Sequence, residues 1–204
     1  MTHCVPSVSC RPWLADAKNV DLAVYSAIAQ TPTPALDQSM KRVSNAANNS
    51  VLWFAVAVLL ALIGRRPGRR AAVRGLASIA VTSPLVNLAA KRAGRRPRPA
   101  FDDEQVSARH VRMPTSHSFP SGHAASAFAF STGVGSAWPV VAVPLHAAAG
   151  VVAYSRVHTG VHYPGDVVVG SVLGTVLAQL TTHAVDRYER RSRTMVERPI
   201  QRDS

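Results

Sequence analysis

From Gly122 to Ser155 the chain runs for 34 residues without Asp, Glu, Lys or Arg. As one helix this run would be ~50 Å long, well beyond a ~30 Å hydrocarbon core. Two helices with a turn near Gly133-Val134-Gly135-Ser136 and Pro139 fit better. Other uncharged runs flank it. Val51–Gly64 needs help from Ala46–Ser50 to approach a span, Gly75–Ala90 carries Pro84 as a kink, and Val167–Val185 is the last. Basic segments alternate with them: Arg65-Arg66-Pro67-Gly68-Arg69-Arg70, expected as a turn, then Lys91, and the tail Arg187–Arg193. A soluble domain rarely holds so many separate uncharged runs. The pattern predicts an all-α, membrane-embedded helical bundle with about five spanning helices. Gly170 and Gly174 have the small-xxx-small spacing that allows close helix contact.

Ahead of the runs, Val20, Leu22, Ala23, Val24, Ala27 and Ile28 give a short helix with a broad apolar face, ended by Thr31-Pro32-Thr33-Pro34. Ala35 to about Asn48 gives a second, carrying Lys41 and Arg42. Both are too short and polar to span, so they are expected to lie in the membrane interface. Residues 1–17 are expected as a flexible tail, 18–186 as one helical-bundle domain and 187–204 as a basic flexible tail. Cys4 and Cys10 both fall in the first tail, which excludes a disulfide framework, and neither has zinc spacing to a histidine. The N-terminus lacks the basic-then-apolar order of a secretory signal, so internal segments are expected to carry the chain to the membrane.

The formal net charge is +12. Such a balance points to nucleic acid, an anionic membrane surface or a phosphorylated substrate. Aromatic content is 6%, low for stacking single-stranded bases, and the cations sit beside apolar runs. The expected partners are therefore a lipid phosphate and the bilayer, with no nucleic acid; the sequence does not fix an oligomeric state.

Three segments carry chemistry. The first is Lys91-Arg92-Ala93-Gly94-Arg95-Arg96-Pro97-Arg98-Pro99, whose Lys91 and Arg98 can clamp phosphoryl oxygens. Alone it reads more readily as a headgroup anchor. The second is Phe119-Pro120-Ser121-Gly122-His123. Ser121 is a preferred N-cap, the free N–H groups of the first turn attract an anion, and Gly122 lets phosphate approach the backbone. His123 then stands on that turn; alone, this is a capped helix. The third is Ser155-Arg156-Val157-His158-Thr159-Gly160-Val161-His162-Tyr163-Pro164-Gly165-Asp166. A carboxylate on one imidazole nitrogen fixes the tautomer and leaves the other to attack, which pairs His162 with Asp166. A metal on His158, His162 and Asp166 is the competing reading, but Pro164 and Gly165 should break the helical face it needs. Together the segments supply cations, an anion cradle, two histidines and a carboxylate, the inventory for cleaving a phosphate ester with no metal and no cofactor.

This three-part pattern resembles the signature of the type 2 phosphatidic acid phosphatase superfamily, which also includes class A acid phosphatases and vanadium haloperoxidases. The resemblance runs from about Val20 to Val185 and departs at the N-terminus, where the additional spanning helix of many membrane members is missing. It implies that His162 attacks phosphorus and forms a phosphohistidine, with Asp166 orienting it. It implies that His123 protonates the leaving alcohol and then activates water. Lys91, Arg98, Ser121, Gly122 and Arg156 would hold the phosphoryl oxygens. His110, His117, His146, His158 and His183 match no position of the pattern and are taken as loop or packing residues.

The resulting expectation is a multi-pass phosphatase of the plasma membrane, acting on a lipid phosphate or polyprenyl (di)phosphate-type monoester. Two rivals remain at this level: a soluble acid phosphatase or haloperoxidase-like enzyme, and a non-catalytic membrane protein that binds anionic lipid. The basic segments at 65–70 and 187–193 are expected on one side, and the active-site loops on the other, external side.

Overall fold

The computed structural model describes residues 12–90, 92, 96–99, 109 and 111–196. All its regular elements are helices: α1 (Pro12–Gln30), α2 (Pro34–Ala46), α3 (Val51–Ile63), α4 (Arg65–Pro84), α5 (Gly122–Ala137), α6 (Ala142–His158) and α7 (Pro164–Val196). Helices α3 to α7 correspond to the uncharged runs. α5 forms the centre and packs most extensively on α4 and α7. Its Ala124, Ala125, Ala127 and Ala129 are fully buried, because small side chains let neighbouring backbones come close. Trp53 of α3 meets Phe130 of α5 at 5.3 Å between ring centroids and fills the wider gap.

The outer faces of the bundle carry Leu62, Ile63, Val143, Val168 and Leu180, all exposed. Exposed large apolar side chains in such number are what hydrocarbon solvates and water does not. Residues Arg65–Leu88, Pro139–His158 and Pro164–Ser192 form three helices long and apolar enough to cross a bilayer. α2 and α3, meeting at a 75° bend, pass as a fourth span if taken together. The chain is a membrane protein, and a soluble enzyme does not fit this exterior.

The elements differ from expectation at their ends. α1 begins at Pro12, within the segment read as a flexible tail. The basic stretch from Arg65 is not a turn but the opening of α4. The chain turns at its first residue, where Arg65 takes a φ of 49°, and Pro67 is tolerated in a first helical turn because its missing N–H would have no partner there. Pro84 marks a change of winding, as expected of a kink: α4 passes into a π-helical turn over Leu85–Ala90. α7 continues through Arg187–Arg193, read from sequence as a flexible tail. Its extension has partners, since Arg70 pairs with Glu189 at 2.6 Å and buried Arg74 pairs with Asp186. The basic start of α4 and the basic end of α7 thus share one end of the bundle.

Candidate active site

The opposite end gathers the three segments. Pro164 opens α7, so His162 lies in the preceding loop while Asp166 sits on the first turn, as the Pro-Gly pair predicts. The carbonyl of Arg156 in the last turn of α6 accepts the N–H groups of Val161 at 3.0 Å and His162 at 3.1 Å, with Gly160 at φ 71° making the reversal. Ser121 caps α5 as expected, its Oγ accepting from Ala124 N at 3.4 Å. Its own N–H donates to the Asp166 carbonyl at 2.9 Å, which fastens the start of α5 to the start of α7. Gly170 and Gly174 make this closeness possible. A Cβ on Gly170 would lie 2.4 Å from Ser121 O, and one on Gly174 would lie 2.1 Å from Ala125 O.

A cavity of about 240 Å³ opens at this end, lined by Arg98, Gly122, His123, Ser126 and His162, with Ser50, Ser83 and Asn87 among the rest of the wall. Two of the three segments' histidines and one of their arginines therefore face a single space. Ser121, Arg156 and Asp166 stand behind the wall, all fully buried or nearly so. Lys91 lies outside the described residues. His123 Nε2 bonds Asn48 Oδ1 at 3.1 Å, so the corner between α2 and α3 reaches the site. Arg98 is fixed from three sides. Nη1 donates to Val161 O at 2.8 Å and lies 3.4 Å from His162 Nε2, and Nε donates to Ser116 O at 2.9 Å. Arg156 Nη1 donates to Ser44 Oγ at 2.6 Å and to Ser44 O at 3.1 Å, while its Nε is buried with no acceptor among the described residues.

His162 and Asp166 are close but not directly bonded, at 3.7 Å between Nδ1 and Oδ2. Ser118 stands between them. Its hydroxyl donates to Asp166 Oδ2 and is 3.4 Å from His162 Nδ1. With the serine proton turned to the carboxylate, Nδ1–H is the donor to Ser118 Oγ, and the Nε2 lone pair is turned to Arg98 Nη1, 3.4 Å away on the cavity wall. Asp166 also accepts from Tyr163 N at 3.0 Å and from Arg96 Nη1 at 3.0 Å. Burial pushes His162 down to about 4; Arg98 and Arg156 push the same way, against the pull of Asp166. The ring is therefore neutral at neutral pH. Burial also lowers Arg98, which still remains charged at neutral pH. His158 does not join this group, because its Nε2 bonds Asp37 Oδ1 at 2.9 Å.

Sequence reasoning missed Ser118, Arg96, Asn48 and Asp21. Asp21 carried a signal, an acid inside the apolar stretch Val20–Ile28. Ser118 and Asn48 carried none, being ordinary polar residues in polar surroundings.

A helical membrane bundle that brings these motifs to one cavity defines a membrane phosphatase class. The chain belongs to the PAP2 superfamily, whose family model matches residues 71–190. It is similar to decaprenylphosphoryl-5-phosphoribose phosphatase of Mycobacterium tuberculosis, 33% identical over 79% of this chain and 86% of that protein. The protein of that name from Mycolicibacterium smegmatis is 32% identical over 77% of this chain and 84% of its own. Among solved structures, Aquifex aeolicus LpxE matches with a TM-score of 0.64 and 26% identity, covering 80% of this chain and 95% of that one. The PAP2-type phosphatidylglycerolphosphate phosphatase of Bacillus subtilis shares the fold, with a TM-score of 0.65, 24% identity and coverage of 84% and 87%. The chain is an enzyme of the phosphoric monoester hydrolase class, a lipid phosphatase by family.

Proposed function

We propose that this chain hydrolyses a phosphate monoester carried by a membrane lipid, without a metal, through a phosphohistidine at His162. The observation that carries the reading is the meeting of His123, His162, Arg98 and Gly122 on one cavity. The Nε2 lone pair of His162 attacks phosphorus, and the bond to the ester oxygen breaks as that oxygen takes a proton from His123. His123 then removes a proton from water, which attacks the phosphohistidine, releases inorganic phosphate and restores neutral His162. Asp166, through Ser118, orients His162 and stabilises the positive charge it gains. Arg98 and Gly122 on the cavity wall, with Lys91, hold the phosphoryl oxygens, and Ser121 and Arg156, buried behind the wall, back that cradle. The dipole and free N–H groups at the start of α5 favour the anion there.

The remaining wall of the cavity suggests the headgroup. Ser50, Ser83 and Asn87 are neutral hydrogen-bonding side chains, suited to hydroxyls and not to a second anionic group. With the phosphoribose phosphatases among the relatives, this favours a polyprenyl-phosphate-linked sugar phosphate over phosphatidic acid, phosphatidylglycerol phosphate or a polyprenyl diphosphate. The paired basic ends of α4 and α7, at the end of the bundle away from the site, favour a cytoplasmic position for that end by the positive-inside rule. The site then faces the external side of the plasma membrane.

Phosphate release from a panel of these lipids in excess EDTA tests the reading. The parent enzyme is expected to work in EDTA and to favour the sugar phosphate, while His162→Ala and His123→Ala each lose at least ~10²-fold. Turnover that needs added magnesium would contradict it. Normal lipid binding with no turnover in the parent would favour the non-catalytic alternative.

A further inference from the structure

Asp166 is fully buried, and a carboxylate in that position must be paired and hydrogen-bonded. Its cation comes from Arg96, which occupies none of the signature positions. Arg96 Nη1 lies 3.0 Å from Asp166 Oδ1 and 2.6 Å from Asp21 Oδ2. Its guanidinium carbon sits 3.9 Å from the centroid of the Tyr163 ring. Its backbone carbonyl accepts the N–H of Ser118 at 2.9 Å. One residue therefore fixes one carboxylate oxygen through its side chain and, through its backbone, the serine that bonds the other oxygen. Asp21 completes the arrangement from α1. Its Oδ1 accepts the N–H of Gly165 at 2.6 Å, the peptide next to Asp166. One turn along α1, Tyr25 packs edge-on against Tyr163 at 5.3 Å.

We propose that Arg96 and Asp21 are a positioning pair that holds the Asp166 carboxylate, and through it Ser118 and the ring of His162, making α1 part of the catalytic apparatus. This rests on His162 being the nucleophile. The ring becomes cationic when it takes the phosphoryl group, and Asp166 must keep enough negative charge to stabilise it. An arginine paired with Asp166 alone would neutralise that charge. Asp21 shares the same guanidinium, so Arg96 can orient Asp166 without cancelling it. Among the described residues, the charged and titratable groups around His162 are Arg98 on the connection before α5, His123 on α5, Arg156 on α6, its neighbour Tyr163, Asp166 on α7, and, one step out, Arg96 and Asp21.

The opposite charges of the pair make the test specific. The full-length enzyme in lipid nanodiscs is assayed for phosphate release in EDTA across pH, as the parent, Arg96→Gln, Arg96→Lys, Asp21→Asn and the double variant Arg96→Gln/Asp21→Asn. Arg96→Gln is expected to lower kcat by ~10–100-fold with KM nearly unchanged, the scale for losing an outer partner of a functional histidine. Losing a cation raises the proton affinity of His162, so the acid limb of kcat/KM moves to higher pH. Asp21→Asn removes an anion and moves the limb to lower pH, and the double variant returns it toward the parent. Arg96→Lys keeps the limb in place but not the full kcat, because the flat guanidinium's stacking on Tyr163 is lost; together with Asp21→Asn it keeps the test readable if Arg96→Gln does not fold. Damage to packing alone would not shift the limb in opposite directions. Parent-like kcat and limb in Arg96→Gln and Asp21→Asn would overturn the proposal, as would shifts of the same sign. His162→Ala, run alongside, separates the two readings: retained turnover there would remove the nucleophile itself.

Discussion

Gly170→Ala should damage catalysis although residue 170 touches no substrate. An ideal Cβ at this position lies 2.4 Å from Ser121 O, about 1 Å inside ordinary van der Waals contact. The obstacle is backbone, so no side-chain rotation relieves it. The same carbonyl accepts the N–H of Ala125 at 3.0 Å, so it is held in the first turn of α5. Separation of α5 from α7 by most of that overlap carries Ser121, Gly122 and His123 away from His162. Displacement of reacting groups by ~1 Å typically costs ~10²-fold in rate. Overpacking costs ~1–3 kcal/mol of stability, partly offset by the ~0.5–1 kcal/mol that alanine gains over glycine in a helix. Gly174→Ala is the internal comparison. Its clash is closer, 2.1 Å from Ala125 O, but one turn farther from the cradle. Gly150→Ala, with nothing within 4 Å of the added carbon, is the neutral control. Initial rates on a lipid phosphate and thermal midpoints in one detergent would be measured for all three. Gly170→Ala is expected to lose the most kcat, Gly174→Ala the most stability, and Gly150→Ala neither. If Gly170→Ala kept the parent kcat, or Gly174→Ala lost more activity than Gly170→Ala, the closeness of α5 to α7 would not be what sets the cradle.

Burial holds His162 near 4 against an ordinary 6.5, so its own acid limb in kcat/KM should fall near pH 4, separate from the substrate phosphate at ~6. The same depression should erode stability as pH falls from the ordinary value through 4, because the unfolded chain binds the proton first. The loss amounts to a few kcal/mol, since each pH step between those two values is worth about 1.4 kcal/mol, and it should vanish in His162→Gln when unfolding is followed across pH. Arg98→Lys keeps the charge but loses the fork that spans Val161 O, Ser116 O and His162, and is expected to lower kcat/KM by roughly tenfold or more on every substrate. Ser118→Ala removes the bridge between His162 Nδ1 and Asp166 Oδ2, and steady-state kinetics should show kcat falling while KM stays near the parent value.

Much of the bundle was legible because charge is excluded from the membrane interior, and the uncharged runs therefore outlined α3 to α7. The break at Pro164-Gly165, the cap at Ser121 and the contact of Gly170 and Gly174 followed from backbone chemistry that residue type alone fixes. Helix ends were less legible. Arginines count as loop residues in a hydropathy reading, yet Arg65–Arg70 are helical, and Arg70 at the end of the stretch pairs with Glu189 of α7. The outline of the candidate site was legible because histidine, glycine and proline are distinctive at those spacings. Its supporting residues were not. Asp21 and Gly165 are 144 positions apart, and nothing along the chain pairs them. Ser118 and Asn48 gain their roles only from where the residues just before α5 and the corner after α2 come to rest.

The most direct test is to trap the covalent intermediate. Enzyme turning over a radiolabelled lipid phosphate would be quenched in alkali, which preserves phosphohistidine, then digested and mapped. The account predicts label on His162, absent in His162→Ala and longer-lived in His123→Ala, where activation of water is lost. Label on any other residue would contradict it, as would transfer of phosphate to water without any label in His123→Ala.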